Sequence, residues 1–452
     1  MHEILYNYDI YPKVFLGDRE QTVTIEPLGD HANGVPGFEY HIEVRKISNA
    51  NPESYPERSG RTHLKKRVDA DGCLRITAYF EGEGEHYIFL RQEEGGRSLL
   101  TFSVYSLHED MAGRIPFRGD LHMHTCRSDA KESPAFVAAH YRGHGYDFLA
   151  MTDHYRYYPS LEAMEAFAGM TDFTLVPGEE VQLPLNDVHY INFGGTYSIN
   201  ALITPNPNQE KGGDDVRYRS LNGTAPDVMT MEEYEAMIRE RAANVPLKHE
   251  SERIYYANLE WIYEHMQKND GLGVFVHPYW LCPAIQLPEE FTEFIYKNGP
   301  FDAFEVLGGE PVFSHNGFQS CFYYEMKAKG YDYPIVGSTD SHGCTEHNPN
   351  ALICSTIVFA KENTREELIK AIKEKYSVAV DSISKEYRLV GDFRLMKYAS
   401  FLMEQYFPLH DLACRAEGYY MGRVLAGDER AKEILAVMKG QIPELQKKYF
   451  AL

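Results

Sequence analysis

Residues 117–154 read FRGDLHMHTCRSDAKESPAFVAAHYRGHGYDFLAMTDH, and their pattern of apolar residues indicates the fold class. The apolar run FLAMT (148–152) is typical of a buried strand, and the run SPAFVAAHYRGHG (133–145) is typical of a helix. Ser133 and Pro134 supply an N-cap and a favoured first helical residue. The segment therefore predicts a strand, a loop and a helix in succession.

The same alternation continues to about residue 380. Helical patterns lie between many of the later strand-like runs, which are FTLV, HYINF, GVFV, AFEVL, PIVG and STIVFA. Buried strands that alternate with helices predict a parallel α/β sheet, either closed as a barrel or doubly wound. Side chains that bind metals cluster at the C-terminal ends of these strands, where barrels carry their chemistry.

The chain is predicted to contain three regions. Residues 1–112 hold short alternating runs between turn clusters, which indicates a β-sandwich-like accessory domain with a structural or substrate-positioning role. Residues 113–380 form the α/β domain, and a polar insertion at about 195–247 is expected to shape or gate a pocket. Residues 381–452 are predicted to be a helical extension used in packing or self-association, which is compatible with a homo-oligomer.

The composition is that of a soluble globular protein. At 452 residues with 43% hydrophobic residues, the chain is long enough for two or three domains. The net charge of −22 disfavours long polyanions such as duplex DNA, which bind through rows of Lys and Arg. A small phosphorylated substrate remains compatible, because bound metal ions reverse the charge of a pocket locally.

Cysteine usage and the N-terminal residues indicate a cytoplasmic protein. The seven cysteines are scattered and show no CxxC spacing, which argues for reduced thiols. The first residues lack the basic start and apolar run of a signal peptide, and no uncharged apolar stretch is long enough to span a bilayer. We therefore expect no membrane partner.

The motif GDLHMHT (119–125) anchors the predicted chemistry. Residues two apart in an extended chain point to the same side, so His122 and His124 can present their imidazoles to one ion. Asp129 follows in a polar loop, and the next strand ends in TDH, which carries His154. Later motifs add further candidate ligands, namely Glu179 or Glu180, His189, His277, Asp340 and His342.

The joint pattern of these residues predicts a metal centre, although a lone histidine is more often a polar residue without a metal. Imidazole and carboxylate groups without thiolates suit Zn, Mn or Fe. The candidates outnumber the ligands of one tetrahedral ion, so two to three divalent ions are expected. Closely spaced ions can activate a water and hold a phosphoryl oxygen.

Taken together, the motifs resemble the PHP family, named for polymerase and histidinol phosphatase. The resemblance covers roughly residues 117–380 and rests on DLHMHT, TDH, PGEEV, VHP and STDSH in that order. It implies a distorted (β/α)7 barrel that holds a cluster of usually three metal ions and hydrolyses phosphoesters. A water or hydroxide that bridges the ions, with its pKa lowered by them, would be the nucleophile.

The resemblance also implies which side chains hold each ion, with Glu180 shared between two of them. The implied ligands are His122, His124, Glu180 and Asp340 for the first ion, Asp129, His154 and His342 for the second, and Glu180, His189 and His277 for the third. Four of these ligands are also predicted to act in catalysis, namely Asp129, His154, Glu180 and Asp340.

Three points in this assignment stay open. Asp129 is followed by Ala130, where the family commonly has Gly, so the loop can turn differently. Glu179 competes with Glu180 for the shared position, and Glu180 is preferred because an apolar residue follows it. His189 also fits a strand residue of the core, since its next neighbours are apolar.

Several other residues are weaker candidates. Arg127 and Arg156 flank the ligands and are predicted to clamp the substrate phosphate by bidentate bonding, with a solvated surface charge as the alternative. Asp120 fits either an acceptor that orients a ligand histidine or a simple loop hydrogen bond, and Glu305 fits an orienting role too.

Tyr279 and Trp280 follow the VHP motif directly. Their rings could stack on a sugar or a base, but packing in the core is the simpler interpretation.

The sequence predicts metal-dependent hydrolysis of a small phosphomonoester or phosphodiester. An exonuclease on short oligonucleotides is disfavoured by the acidic balance and by the lack of an aromatic and basic track. A metal-dependent amide or lactone hydrolase would use similar ligands in a different order. A non-catalytic metal-binding module is opposed by the intact ligand set.

Overall fold

The computed structural model describes residues 4–32, 36–47, 61–205, 219–280, 286–345, 347–348, 350–383 and 388–452. The chain forms a mixed α/β protein with two compact units. Unit 1 comprises Met1–Ile115, Phe393–Ala413 and Gly440–Leu452, and unit 2 comprises Pro116–Asp392 and Cys414–Lys439. Residues 381–452, predicted to be one extension, are therefore divided between the two units.

Unit 1 is built mainly from β-strands. Its strands are β1 (Tyr8–Tyr11), β2 (Val14–Leu16), β3 (Arg19–Pro27), β4 (Glu39–Lys46), β5 (Arg61–Arg67), β6 (Leu74–Phe80), β7 (Gly84–Arg91), β8 (Leu100–Leu107) and β22 (Phe450–Ala451). They form a three-stranded sheet in the order β1-β3-β6 and a six-stranded sheet in the order β22-β2-β8-β7-β4-β5.

The alternation of apolar residues explains how these two sheets pack. In β6 and β7, every second side chain is buried, as in Leu74, Ile76, Ala78 and Phe80. Buried residues of both sheets form one hydrophobic core, in which Val23 and Ile76 from the smaller sheet join Val44 and Ile88 from the larger. This two-layer arrangement follows from the period-two pattern of the strands.

Unit 2 contains the remaining strands. They are β9 (Ile115–Asp120), β10 (Phe148–Ala150), β11 (Thr174–Val176), β12 (Gly178–Val181), β13 (Tyr190–Phe193), β14 (Ile203–Thr204), β15 (Met229–Thr230), β16 (Leu272–Phe275), β17 (Ala303–Leu307), β18 (Ile335–Gly337), β19 (Cys354–Ala360), β20 (Ser377–Asp381) and β21 (Arg388–Val390). Residue 115, the first of β9, belongs to unit 1.

The described helices are distributed over both units. They are α1 (Ile4–Asn7), α2 (Pro134–Gly143), α3 (Tyr158–Ala166), α4 (Met231–Ala242), α5 (Glu250–Lys268), α6 (Glu289–Asn298), α7 (Phe318–Ala328), α8 (Arg365–Lys373), α9 (Phe393–Gln405), α10 (Phe407–Leu425), α11 (Glu429–Met438) and α12 (Gln441–Tyr449). None of the helices in the described part of the chain is long and apolar enough to cross a membrane.

Two sheets dominate unit 2. One has the order β11-β10-β9-β19-β20-β21 and the other has the order β12-β13-β16-β17-β18. Two isolated bridges join residues near the strand ends, from Met123 to Ser341 and from His154 to Glu180. The strands of the described residues do not form one closed barrel, so the closed form of the barrel stays a prediction.

The prediction of purely parallel strands is wrong for part of unit 2. Strands β9, β10 and β11 are parallel, as are β16, β17 and β18. Strands β12 and β13 are antiparallel, with Val181 opposite Tyr190. The connection between them, residues 182–189, has no described helix, and so short a link cannot make the crossover that a parallel pair needs.

Local sequence signals account for the helix starts. Ser133 accepts a hydrogen bond from the backbone nitrogen of Phe136 at the start of α2. Within the insertion at 195–247, Thr230 and Glu233 form a reciprocal capping box at the start of α4. Residues 206–218 of the insertion lie outside the described residues, so its predicted gating role stays a prediction.

Candidate metal centre

The candidate ligands stand at the ends of strands that meet in unit 2. His122 and His124 follow β9, and His154 follows β10. Glu180 lies within β12, and His189 directly precedes β13. His277 follows β16, Asp340 and His342 follow β18, and Asp129 lies in the loop between β9 and α2.

The first group of ligand atoms is fully enclosed. It contains His122, His124, Glu180 and Asp340, whose nearest nitrogen and oxygen atoms all lie within 4.8 Å of one another. Nε2 of His122 and Nε2 of His124 lie 3.2 and 3.0 Å from Oδ1 of Asp340. Nε2 of His124 is also 3.4 Å from Oε2 of Glu180. These four side chains can therefore surround one cation.

A second group lies at the solvent-facing side. It combines His124 with Asp129, His154 and His342. Oδ2 of Asp129 lies 3.3 Å from Nε2 of His342 and 3.6 Å from Nε2 of His154. The Asp129 side chain is 53% exposed, whereas His124 is buried, so this group is the most exposed of the three.

The third group consists of Glu180, His189 and His277. Oε1 of Glu180 lies 2.7 Å from Nδ1 of His189 and 3.4 Å from Nε2 of His277. Its other oxygen, Oε2, is 2.7 Å from Nδ1 of His154. The Glu180 carboxylate is thus at the centre of the cluster and belongs to two of the three groups.

The donor atoms fit a cation better than they fit one another. Both carboxylate oxygens of Glu180, Nδ1 of His124 and Nδ1 of His154 are buried and make no hydrogen bond of normal geometry with the described residues. Buried polar atoms without partners are costly. Imidazole nitrogens and carboxylate oxygens without thiolates are the ligands that Zn, Mn and Fe bind.

The electrostatics of the cluster also favour positive charge. Burial opposes ionisation of Glu180, but the imidazoles of His154, His189 and His122 outweigh burial and hold the pKa of this carboxyl well below its usual range. Burial lowers the pKa of His154, yet Glu180 and Asp129 raise it to about 9. For His124, burial and the imidazole of His154 lower the pKa to about 3, which leaves a neutral imidazole ready to coordinate.

Backbone strain occurs at two candidate ligands. His277 has a φ of 28° and Asp340 has a φ of 49°, which are left-handed values that non-glycine residues rarely adopt. Tyr155, which follows His154, has a φ of 61°. Strained backbone of this kind is typical of functional sites.

Outer carboxylates hold the ligands in place. Nδ1 of His122 donates a hydrogen bond to Oε2 of Glu305 at 3.0 Å, and both side chains are buried. This contact leaves Nε2 of His122 facing the cluster. Asp120 instead accepts from the backbone nitrogens of His122 and Thr339, so it fixes the loops and does not orient an imidazole.

The comparisons with known proteins give distant structural similarities. No protein family model matches the sequence, and no curated protein matches it. Solved structures resemble the chain. One is a two-domain protein from Bacteroides vulgatus that contains a predicted PHP-like metal-dependent phosphoesterase, with 17% sequence identity and a TM-score of 0.38. That similarity covers 59% of this chain and 65% of the Bacteroides chain, which is less than two thirds of its length.

Two further structures show similar values. A protein from Bifidobacterium adolescentis, provisionally assigned as a metal-dependent phosphoesterase, has 16% identity and a TM-score of 0.32 over 51% of this chain and 89% of its own. An amidohydrolase from Chromobacterium violaceum, with bound sulfate and no metal, has 17% identity and a TM-score of 0.30 over 50% and 88%.

The structure separates the two adjacent glutamates. Successive residues of β12 point to opposite sides, so Glu180 faces the imidazoles and Glu179 faces away. Glu179 accepts hydrogen bonds from Ser198 Oγ at 2.6 Å and Asn200 Nδ2 at 3.0 Å. Its pKa is raised by burial, which these donors only partly offset. Glu179 is therefore placed as a structural residue and Glu180 as the candidate ligand.

The two predicted phosphate-binding arginines are not equally placed. Arg127 makes a bidentate ion pair with Glu162 on α3, at 2.9 and 2.8 Å. That pairing uses Nε and Nη2 of the guanidinium, and binding of a substrate phosphate by Arg127 stays a prediction. The backbone nitrogen of Arg156 donates to the backbone carbonyl oxygen of Asp153 at 3.2 Å. The role of the Arg156 side chain in binding phosphate stays a prediction.

Two residues that the motifs did not indicate as functional, Asp153 and Gln182, support the cluster through hydrogen bonds. Asp153 accepts hydrogen bonds from the backbone and hydroxyl of both Thr125 and Ser128, which fixes the loop that carries Asp129. The side-chain amide of Gln182 lies 2.6 Å from Nε2 of His189. Gln182 stands two residues after Glu180, and residues two apart in an extended chain point to the same side. This spacing could have indicated that Gln182 lies near the cluster.

Proposed function

We propose that this protein is a metal-dependent hydrolase of small phosphate esters. The observation that carries the proposal is that nine His, Asp and Glu side chains, Glu180 among them, form three adjoining groups that share His124 and Glu180. Two to three divalent ions, with Zn, Mn and Fe as candidates, suit this donor set. When bound, such ions lower the pKa of a water and neutralise charge on a phosphoryl oxygen.

The protein side chains have distinct parts in this proposal. His122, His124, Glu180 and Asp340 hold the enclosed position, where no solvent competes. Asp129, His154 and His342 hold the position nearest solvent, so the ester would approach there. Glu305 keeps His122 in its ligating orientation. Water is admitted mainly at the Asp129 side, since the other groups are buried.

The test combines metal content with phosphate release. Elemental analysis of the purified protein should find two to three ions per chain, and a panel of sugar phosphates, nucleotides and cyclic phosphates should include esters that release phosphate. His124→Ala is expected to remove both bound metal and activity, because this residue serves two ligand groups. His144→Ala, at an exposed histidine that follows α2, is the matched control and should retain both.

Other results would redirect the assignment. Cleavage restricted to oligonucleotides would favour an exonuclease. Cleavage of amides or lactones without phosphate release would favour the other hydrolase class. Bound metal without turnover of any of these substrates would favour a non-catalytic metal-binding module.

A further inference from the structure

The indole of Trp280 lies beside the third ligand group. Its ring centroid is 5.4 Å from that of His277 and 6.4 Å from that of His189. The backbone nitrogen of Trp280 donates to the carbonyl oxygen of His277 at 3.0 Å, and this turn brings the indole back towards the imidazole. The side chain is only partly buried, so part of the ring remains accessible.

The other aromatic residues nearby are used differently. Tyr279 packs against Phe318 and Phe322, with ring centroids 6.3 and 5.7 Å apart. Trp261, the other tryptophan of the chain, is 2% exposed in the hydrophobic core of unit 2. Trp280 therefore differs from both, because the rings it contacts are candidate metal ligands.

A carboxylate stands at the edge of this indole. Nε1 of Trp280 donates to Oε1 of Glu310 at 3.5 Å, and Glu310 is partly exposed. Asn316 fixes the loop that carries Glu310, because its Nδ2 donates to the Glu310 carbonyl at 2.9 Å and its Oδ1 accepts from the Gly308 nitrogen at 2.7 Å. The ring face and the carboxylate are thus held together next to His189 and His277.

We propose that Trp280 and Glu310 bind the alcohol part of the ester, and that this part contains a ring with one apolar face and with hydroxyl or N–H donors on its edge. This inference rests on the proposed phosphoesterase function. An indole offers a large apolar surface against which the face of another ring can pack. An ionised carboxylate only accepts hydrogen bonds, so it selects donors on the ligand and repels a second anionic group. A sugar ring and a heteroaromatic base both satisfy this chemistry.

Fluorescence tests this subsite without catalysis. In the Trp261→Phe variant, Trp280 is the only tryptophan. The zinc-loaded variant is titrated with adenosine, with ribose and with inorganic phosphate, and each nucleoside or sugar titration is repeated in the presence of phosphate. Adenosine, ribose or both should change the emission of Trp280, and the ligand that does so identifies the source of the ring. Unchanged emission with both ring ligands would overturn the proposal.

Kinetics provides a second test that does not need the Trp261 variant. The ratio of kcat/KM for a ring-bearing phosphate ester to that for methyl phosphate should fall about three- to tenfold in Trp280→Ala, mainly through KM. Glu310→Gln should lower the same ratio for the ester that changes the fluorescence. The matched control is Phe313→Ala, an aromatic side chain of the same loop that is 69% exposed, and it should keep the wild-type ratio.

The two proposals fail in different ways. A wild-type protein that holds metal but releases no phosphate contradicts the phosphoesterase function, while the response of Trp280 to adenosine or ribose still decides the subsite. Phosphate release with a wild-type specificity ratio in Trp280→Ala leaves the hydrolase standing and overturns the subsite.

Discussion

The Glu305 carboxylate determines which nitrogen of His122 faces the cluster. Both side chains are fully buried, and Nδ1 of His122 donates to Oε2 of Glu305 at 3.0 Å. Because the imidazole has only two nitrogens, fixing Nδ1 on the outside leaves Nε2 to coordinate. A residue that touches no substrate thus sets the orientation of a candidate ligand.

We predict that Glu305→Gln weakens metal binding about 10- to 100-fold, because it removes the charge that orients and strengthens the His122 imidazole. The substitution preserves volume, so the fold should persist. Titration of the metal-free protein with zinc against a competing chelator measures the affinity. Glu293→Gln on α6, which pairs with Lys297 at the surface, is the control. Equal affinities for the wild type and Glu305→Gln would refute the orienting role.

A second residue-scale effect lies in unit 1, at His86. Its side chain is buried in β7 and pairs with Ser106 Oγ at 2.8 Å. Burial, with a smaller contribution from Lys46, lowers the pKa of His86 to about 4 from the usual 6.5. The folded protein therefore keeps this imidazole neutral at pH values where the unfolded chain already binds a proton.

We predict that His86 makes stability fall as the pH drops from 6.5 to 4, by up to about 3 kcal/mol. Above pH 6.5 both states are neutral at this residue, so no such loss occurs there. His86→Gln should remove this part of the pH dependence, as measured by urea unfolding of both proteins from pH 7.5 to 4.5. If the difference in unfolding free energy between wild type and variant stays constant over that range, the assignment fails.

At the scale of elements, strand β12 places two adjacent glutamates in opposite environments. Glu180 faces the imidazoles, and Glu179 accepts hydrogen bonds from Ser198, Asn200 and Asn192 on the other side. The two residues have the same chemistry and differ only in the face of the strand they occupy. Each can therefore serve as the matched control for the other.

We predict opposite effects for the two isosteric substitutions. Glu180→Gln should abolish metal binding at two of the three groups while the protein remains folded. Glu179→Gln should keep the bound metal but lower stability by about 1–3 kcal/mol, because its new amide faces donors instead of accepting from them. Elemental analysis and thermal unfolding measure the two effects. Loss of metal in Glu179→Gln with retention in Glu180→Gln would reverse the assignment.

The sequence predicts elements better than it predicts how they pair. The run AFEVL coincides with β17, and HYINF contains β13. The antiparallel pairing of β12 and β13 was not predicted. An alternation of strands and helices predicts parallel neighbours, and it does not show where one strand reverses direction. The two-residue spacing of His122 and His124 correctly predicted that both imidazoles point to the same side of the chain. This prediction succeeds because the direction of side chains in an extended segment depends only on neighbouring residues.

Contacts between distant segments could not be predicted in the same way. Asp153 supports the loop of Asp129 through Thr125, 28 residues earlier in the chain. The pairing of Arg127 with Glu162 likewise depends on where α3 lies relative to the loop that carries Arg127. Such partners depend on tertiary packing, which no short motif encodes.

At the scale of the whole molecule, residues 440–452 belong to unit 1. Strand β22 pairs in parallel with β2, where Val14 is opposite Phe450. The hydroxyl of Tyr449 donates to Oδ1 of Asp9 at 2.8 Å. The backbone nitrogen of Lys13 donates to the backbone carbonyl oxygen of Tyr449. Residues 450–451 therefore form the edge strand of the six-stranded sheet of this unit.

We predict that deletion of residues 440–452 loosens unit 1 without changing the metal content. Without β22, strand β2 becomes an edge strand, and its amide exchange should accelerate about tenfold, equivalent to roughly 1.4 kcal/mol of lost local stability. All nine candidate ligands belong to unit 2, which keeps every residue.

Hydrogen–deuterium exchange over residues 13–16 measures the loosening of β2, and elemental analysis measures the metal content. Tyr449→Phe, which removes only one hydroxyl, should show a much smaller acceleration. Unchanged exchange in β2, or loss of metal on deletion, would contradict the division of the chain into these two units.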